Sequence, residues 1–165
     1  MREIDIAKVV LNIGVGEGGR KLSNAEVVLE EITGQTPVRT YAKQTNQTVE
    51  VREGSPIGCK VTLRKEKATD TLEKLLEVKG NEIKESSFDR YGNFSFGIEE
   101  HIELPEMEYD PDMGIFGMDV SVTLERPGFR IKKRRRRPRP IPESHRIYKD
   151  EAIDFVGKNL NTKVV

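Results

Sequence analysis

Hydrophobic and polar positions along the chain change period several times, and each change marks an element. Residues 4–13 alternate, with Val9, Leu11 and Ile13 on one side and Lys8, Val10 and Asn12 on the other, which predicts a strand with one buried face. After a glycine-rich stretch the period becomes helical. Ala25, Val28, Leu29 and Ile32 stand at i, i+3, i+4 and i+7, Ser23 and Glu26 have capping-box spacing, and Gly34 supplies a stop. Three strand-like runs follow at residues 37–43, 48–52 and 58–65, separated by gaps too short for a parallel crossover, so an antiparallel meander is expected. In the last run Cys59, Val61 and Leu63 oppose Lys60, Thr62 and Arg64; in the first, Val38, Thr40 and Ala42 oppose Arg39, Tyr41 and Lys43.

A second amphipathic helix is predicted over residues 67–79, through Leu72, Leu75, Leu76 and Val78, ending at Gly80. Phe94, Phe96 and Ile98, then Met118, Val120, Val122 and Leu124, alternate with small or polar residues and predict two more strands. Ala152, Ile153, Val156 and Leu160 predict a short helix over about 150–160. The whole reads as an α+β fold: a largely antiparallel sheet with helices packed on one face and an open polar face on the other. One domain over residues 1–165 is expected, with a basic Pro/Arg-rich extension at about 126–149. No internal repeat is visible.

Composition narrows the class. Hydrophobic residues are 35% and charged residues 34%, and no run approaches the roughly 20 apolar residues of a spanning helix. Met1 leads into a charged, strand-like segment rather than a signal peptide, so a cytoplasmic address without a membrane partner is expected. Cys59 is alone, which excludes an internal disulfide, and with only His101 and His145 beside it no metal is expected.

The zero net charge conceals a mosaic. Residues 126–149 hold eleven Lys and Arg against Glu143 alone, so with 28 of each sign overall the rest of the chain carries a surplus of ten acids. Residues 39–65 are also positive, whereas residues 66–125 carry 16 acids against 5 bases. Charges within about one Debye length, roughly 8–10 Å, set the field at contact, so basic blocks attract polyanions even in a neutral protein. Lys132, Lys133, Arg134, Arg135, Arg136, Arg137 and Arg139 repel one another, and Pro138, Pro140 and Pro142 bar a continuous helix. An extended, phosphate-binding segment is expected, with a solvated or localisation-type tract as the alternative.

Gly14, Gly16 and Gly19 spell G-x-G-x-x-G, yet a dinucleotide fingerprint also needs a parallel βαβ unit and an acid about 20 residues on. The capping-box residue Ser23 comes four residues after Gly19, residues 34–39 offer no acid, Glu17 would face the pyrophosphate, and Lys21 lacks Walker spacing. A tight strand-to-helix turn explains the glycines, and its bare amides with Arg20 and Lys21 suit an RNA phosphate. His101, among Glu99, Glu100 and Glu103, reads as solvated surface rather than a general base, and Glu106, Glu108, Asp110 and Asp112 miss the calcium-loop register. No catalytic constellation and no cofactor site emerge. On the open face, Lys60, Arg64, Arg39 and Lys43 supply charge, Tyr41 a stacking surface, and Asn12, Gln35 and Thr62 neutral donors and acceptors for RNA.

The stretches "KVVLNIGVGEGG", "ITGQTPVRTYAK", "REGSPIGCKVTLR", "SSFDRYGNFSFGIEEHIELPEMEYDP" and "GIFGMDVSVTLERPG" resemble the universal large-subunit ribosomal protein five family, the 5S rRNA-binding ribosomal proteins, in their archaeal form. The resemblance implies a non-enzymatic part of the ribosome that binds 5S rRNA, helps dock it in the central protuberance, and touches P-site tRNA and a small-subunit protein across an intersubunit bridge. Large-subunit rRNA and neighbouring large-subunit proteins are the other implied partners. By motif it places Asn12, Gln35 and Thr62 at 5S rRNA, and the loop Lys43, Gln44, Thr45, Asn46, Gln47, Thr48, Val49 and Arg52 toward tRNA. Val49 stands where many members carry Phe, which removes an aromatic contact there. A free-standing RNA-binding or assembly factor and a small cofactor enzyme are the competing readings.

Overall fold

The structure, a computed structural model, describes residues 2–48, 50–104 and 107–165. In chain order its elements are β1 (Asp5–Gly14), α1 (Arg20–Thr33), β2 (Val38–Tyr41), β3 (Pro56–Leu63), α2 (Lys65–Val78), β4 (Glu82–Ile83), β5 (Phe94–Ile98), β6 (Met118–Glu125), α3 (Lys149–Asn159) and β7 (Lys163–Val164). Five strands make one antiparallel sheet in the order β2-β3-β1-β6-β5, while β4 and β7 form a small parallel ribbon. This is the α+β arrangement that the periodicities predict.

β1 takes the centre because its inward residues serve two neighbours at once. Val9 lies across from both Leu63 and Val122, and Leu11 from both Val61 and Val120. All six are buried, and α1 and α2 close the layer with Leu22, Ala25, Val28 and Leu29 from one and Ala68, Leu72, Leu75 and Leu76 from the other. Each fully buried aliphatic side chain contributes about 1.5–3 kcal/mol, so this face is the main store of stability.

Several local expectations are corrected. α1 begins at Arg20, capped by Gly19 at φ 80°, and Ser23 lies inside the helix with its N–H and Oγ–H both donated to Gly19 O, at 3.1 and 3.2 Å. Glycine accepts that positive φ without a Cβ penalty, so the helix starts before the apparent capping box. The described residues of 48–52 form no strand. They make a single bridge, between Asn46 and Val51, and Val49 lies outside the described residues. β2 and β3 are therefore a hairpin with a long loop, and β1 inserts between β3 and β6 instead of continuing a meander.

The basic segment is anchored rather than extended. Phe129, Ile141 and Ile147 are buried, and Arg126 is only 4% exposed. Its guanidinium donates to the carbonyl of Arg146 at 2.9 Å and pairs with Glu151 of α3. Between these anchors Arg139 N–H bonds Ile131 O at 3.0 Å, and Arg134 Nε–H bonds Arg137 O at 3.0 Å, closing a compact loop. Repulsion among exposed, screened arginines is weaker than the burial of three large apolar side chains that flank them. Gly92 fixes the adjoining turn: at φ 82°, a Cβ there would sit 2.8 Å from both Ile147 Cγ2 and Ala152 Cβ.

Candidate nucleic-acid interface

Because side chains alternate along a strand, the register that buries Val9, Leu11 and Ile13 turns Val10 and Asn12 to the opposite side. There Asn12 pairs across with Lys60 on β3 and Asp119 on β6, and Val10 with Thr62 and Ser121. Ser95 of β5 extends the row beside Ser121. Lys60, Thr62, Ser95, Asp119 and Ser121 are exposed, and Asn12 is half-buried. Polar side chains thus line up across four strands on the side opposite the buried row. Cross-strand Cβ atoms about 4.5–5.5 Å apart bring Asn12 and Lys60 together, with Thr62 one diagonal away.

Its charge is graded rather than uniform. Lys60 and the exposed Arg64 stand toward the β3 side, hydroxyl groups fill the middle, and Asp119 places an acid beside Asn12. Ser95 and Ser121 were legible in the strand alternation but gain their meaning only from the register with β1. Gln35 follows the αL cap Gly34 and precedes β2; it is half-buried, and its N–H bonds Thr33 Oγ1 at 3.2 Å.

Arg39 does not belong to this face. It lies across from Cys59, on the helix side, and its Nε–H donates to Glu26 of α1 at 2.5 Å, which raises its already high pKa. Val38 and Thr40 instead lie across from Lys60 and Gly58, with Val38 62% exposed. β2 is an edge strand with a bulge at its end, so its apolar residues need not follow the burial of the central strands. Cys59 beneath it is buried, and burial pushes its thiol up to about 11.

The hairpin loop presents Lys43, Gln44, Thr45, Asn46, Gln47, Thr48 and Arg52 to solvent. It is braced internally: Asn46 and Val51 exchange backbone bonds at 2.7 and 2.9 Å, Asn46 Oδ1 accepts from Thr48 N–H at 3.0 Å, and Thr45 Oγ1 accepts from Glu53 N–H at 3.1 Å. Lys43 and Arg52 are balanced by Glu50 and Glu53, leaving amides and hydroxyls as its distinctive groups. At the glycine turn, the Val15 and Gly16 amides are not bare, since both donate to Ile57 O at 2.8 Å. Arg20 and Lys21 follow in the exposed first turn of α1. Lys132, Lys133, Arg134, Arg135, Arg136, Arg137 and Arg139 are all exposed, Lys133 lying 3.8 Å from Glu125.

His101 is the clearest reversal, being 2% exposed rather than solvated. Its Nδ1 accepts Phe116 N–H at 3.1 Å, which leaves the proton on Nε2, and burial lowers its pKa. The unfolded chain therefore takes up this proton at higher pH than the folded one, and its share of stability is lost as pH falls below about 6.5. Urea titrations at pH 7 and pH 5 are expected to show a larger loss for the parent chain than for His101→Gln; equal losses would contradict the buried neutral imidazole. Among the described residues no three His, Cys, Asp or Glu side chains are grouped to hold a metal ion, and no helix is long and apolar enough to cross a membrane.

Comparison with known proteins gives a single answer. Residues 1–52 match the family model described as ribosomal protein L5, and residues 56–155 match the model described as the C-terminus of that ribosomal family. The large ribosomal subunit protein uL5 of Methanosphaera stadtmanae is 51% identical over 99% of this chain and 98% of its own length. Its counterparts from Sulfurisphaera tokodaii and Methanobrevibacter smithii are 52% and 50% identical, covering 100% of this chain and 94% and 97% of their own lengths.

Proposed function

Because the chain belongs to the ribosomal protein L5 family, of the archaeal type, and is therefore a non-enzymatic constituent of the large ribosomal subunit, we propose that its open sheet face binds 5S rRNA. One observation carries the reading: Asn12 and Thr62 stand on adjacent strands of the face turned away from α1 and α2, with Lys60 directly across from Asn12 and next to Thr62 on that face of β3. Amide and hydroxyl groups there suit sugar hydroxyls and base edges, and Lys60 and Arg64 suit phosphates, which is how proteins hold folded RNA. Gln35 joins them from the turn before β2.

The remaining surfaces take the other roles. Arg20 and Lys21, and the loop from Lys132 to Arg139, bind phosphates of large-subunit rRNA. The braced hairpin loop reaches P-site tRNA through amides and hydroxyls rather than net charge. Exposed acids of the stretch 66–125 meet basic neighbouring large-subunit proteins, and the chain touches a small-subunit protein across the intersubunit bridge. Together these contacts dock 5S rRNA in the central protuberance.

Filter-binding titrations of 5S rRNA test the face directly. Asn12→Ala, Gln35→Ala and Thr62→Val are each expected to weaken binding by about 1–3 kcal/mol, the range for losing a buried polar contact. Unchanged affinity in all three would overturn the assignment.

A further inference from the structure

We infer that the cleft between the β5–β6 end of the sheet and the basic loop is a nucleobase site, built to take one unpaired base of RNA out of its stack. The cleft has a volume of about 320 Å³, with Leu124, Ile141 and Ile147 among its apolar lining residues and Tyr91 on its wall. Lys132 and Arg146 line it as well. This combination of an apolar floor, a partly exposed aromatic ring, a guanidinium plane and an ammonium group is what stacks and holds single bases. Tyr91 is 43% exposed, and the guanidinium carbons of Arg146 and Arg90 lie 5.4 and 5.6 Å from its ring centre.

The walls are preformed. Asp89 Oδ1 accepts the N–H groups of Tyr91 and Asn93 at 2.8 and 2.9 Å, Asn93 Oδ1 accepts Leu124 N–H at 3.2 Å, and Arg146 Nε–H donates to Ile141 O at 3.1 Å. A base entering such a site meets a turn and an Arg146 side chain that are already held in place, which lowers the ordering cost of binding. Charge identifies the occupant. Among the described residues the lining contains two cations and no acid, and Arg134 to Arg137 follow directly in the chain, so a polyanion carrying flat apolar rings fits and an apolar peptide does not. Thr123, which also lines the cleft, shares strand parity with Ser121 of the open face.

This inference rests on the RNA-binding reading above, and its test separates the two. The full-length protein, isotope-labelled, is titrated with adenosine monophosphate, with ribose 5-phosphate as a base-free control and with hexaglutamate as an anionic peptide, following amide resonances. Adenosine monophosphate is expected to shift Asn93, Leu124 and Ile147 saturably, ribose 5-phosphate is expected to leave them in place, and Tyr91→Ala is expected to weaken the response about tenfold. Tyr91→Phe, which keeps the ring, should retain it, which separates stacking from a folding defect. Equal shifts with ribose 5-phosphate would make the cleft a phosphate site, equal shifts with hexaglutamate a peptide site, and no response to the nucleotide would remove it; each overturns the inference. A parallel 5S rRNA titration reports on the sheet face independently: binding kept while the nucleotide fails sinks the cleft alone, and the converse sinks the face alone.

Discussion

Alanine at Arg134, Arg135, Arg136 and Arg137 together is expected to weaken binding of the full chain to ribosomal RNA about a thousandfold near physiological salt. Four charge-assisted phosphate contacts at about 1 kcal/mol net apiece give roughly 4 kcal/mol. A second signature accompanies the loss, because each neutralised phosphate releases a counterion: the slope of log affinity against log salt should fall by about 3–4. The four side chains are exposed, so the core should survive their removal although the Arg134 bond that closes the loop is lost. A variant with unaltered affinity and slope would return the segment to a solvated tract.

Arg126→Ala is expected to cost about 3 kcal/mol of folding stability, a fall of roughly 6–12 °C in melting temperature for a chain of this size. Arg126 is the clamp on which the basic loop closes, holding the backbone after the loop through the Arg146 carbonyl and α3 through Glu151. Removing it leaves a cavity, an unsatisfied carbonyl and a carboxylate without its partner. Burial lowers the guanidinium pKa, and its Nε finds no acceptor among the described residues, so the site gives back part of what its other bonds contribute. Glu151→Gln, at a side chain 38% exposed, should cost about 1 kcal/mol or less because water replaces part of the pair. Thermal melts of the two variants decide it: an Arg126→Ala chain as stable as the parent would show that the loop closes without its clamp.

The central strands were legible because their burial follows from one rule. Val9, Leu11, Ile13, Cys59, Val61 and Leu63 alternate strictly, and both neighbouring layers honour the alternation, so Asn12 and Thr62 could be placed on the open face from sequence. The rule fails at β2, where an edge strand lacks a second neighbour to hold it in phase, and Arg39 turns to Glu26 on α1. His101 was illegible for another reason. Its chain neighbours Glu99, Glu100 and Glu103 are acidic and exposed, but its burial comes from Phe116 fifteen residues away, a partner no local pattern names. The same holds for the basic segment, whose composition predicts an extended stretch while Phe129, Ile141 and Ile147 tie it to a core assembled from the rest of the molecule.

The strand order has a consequence for the newborn chain. β1 is synthesised early, yet one of its two long partners, β6, begins more than a hundred residues later at Met118. At about 5–20 residues per second, the edge that will meet β6 stays unpaired for roughly 6–20 s of translation. During that interval a greasy, hydrogen-bond-hungry ribbon is open to any other strand in its vicinity, so the nascent protein is most prone to mispairing before its last long strand emerges.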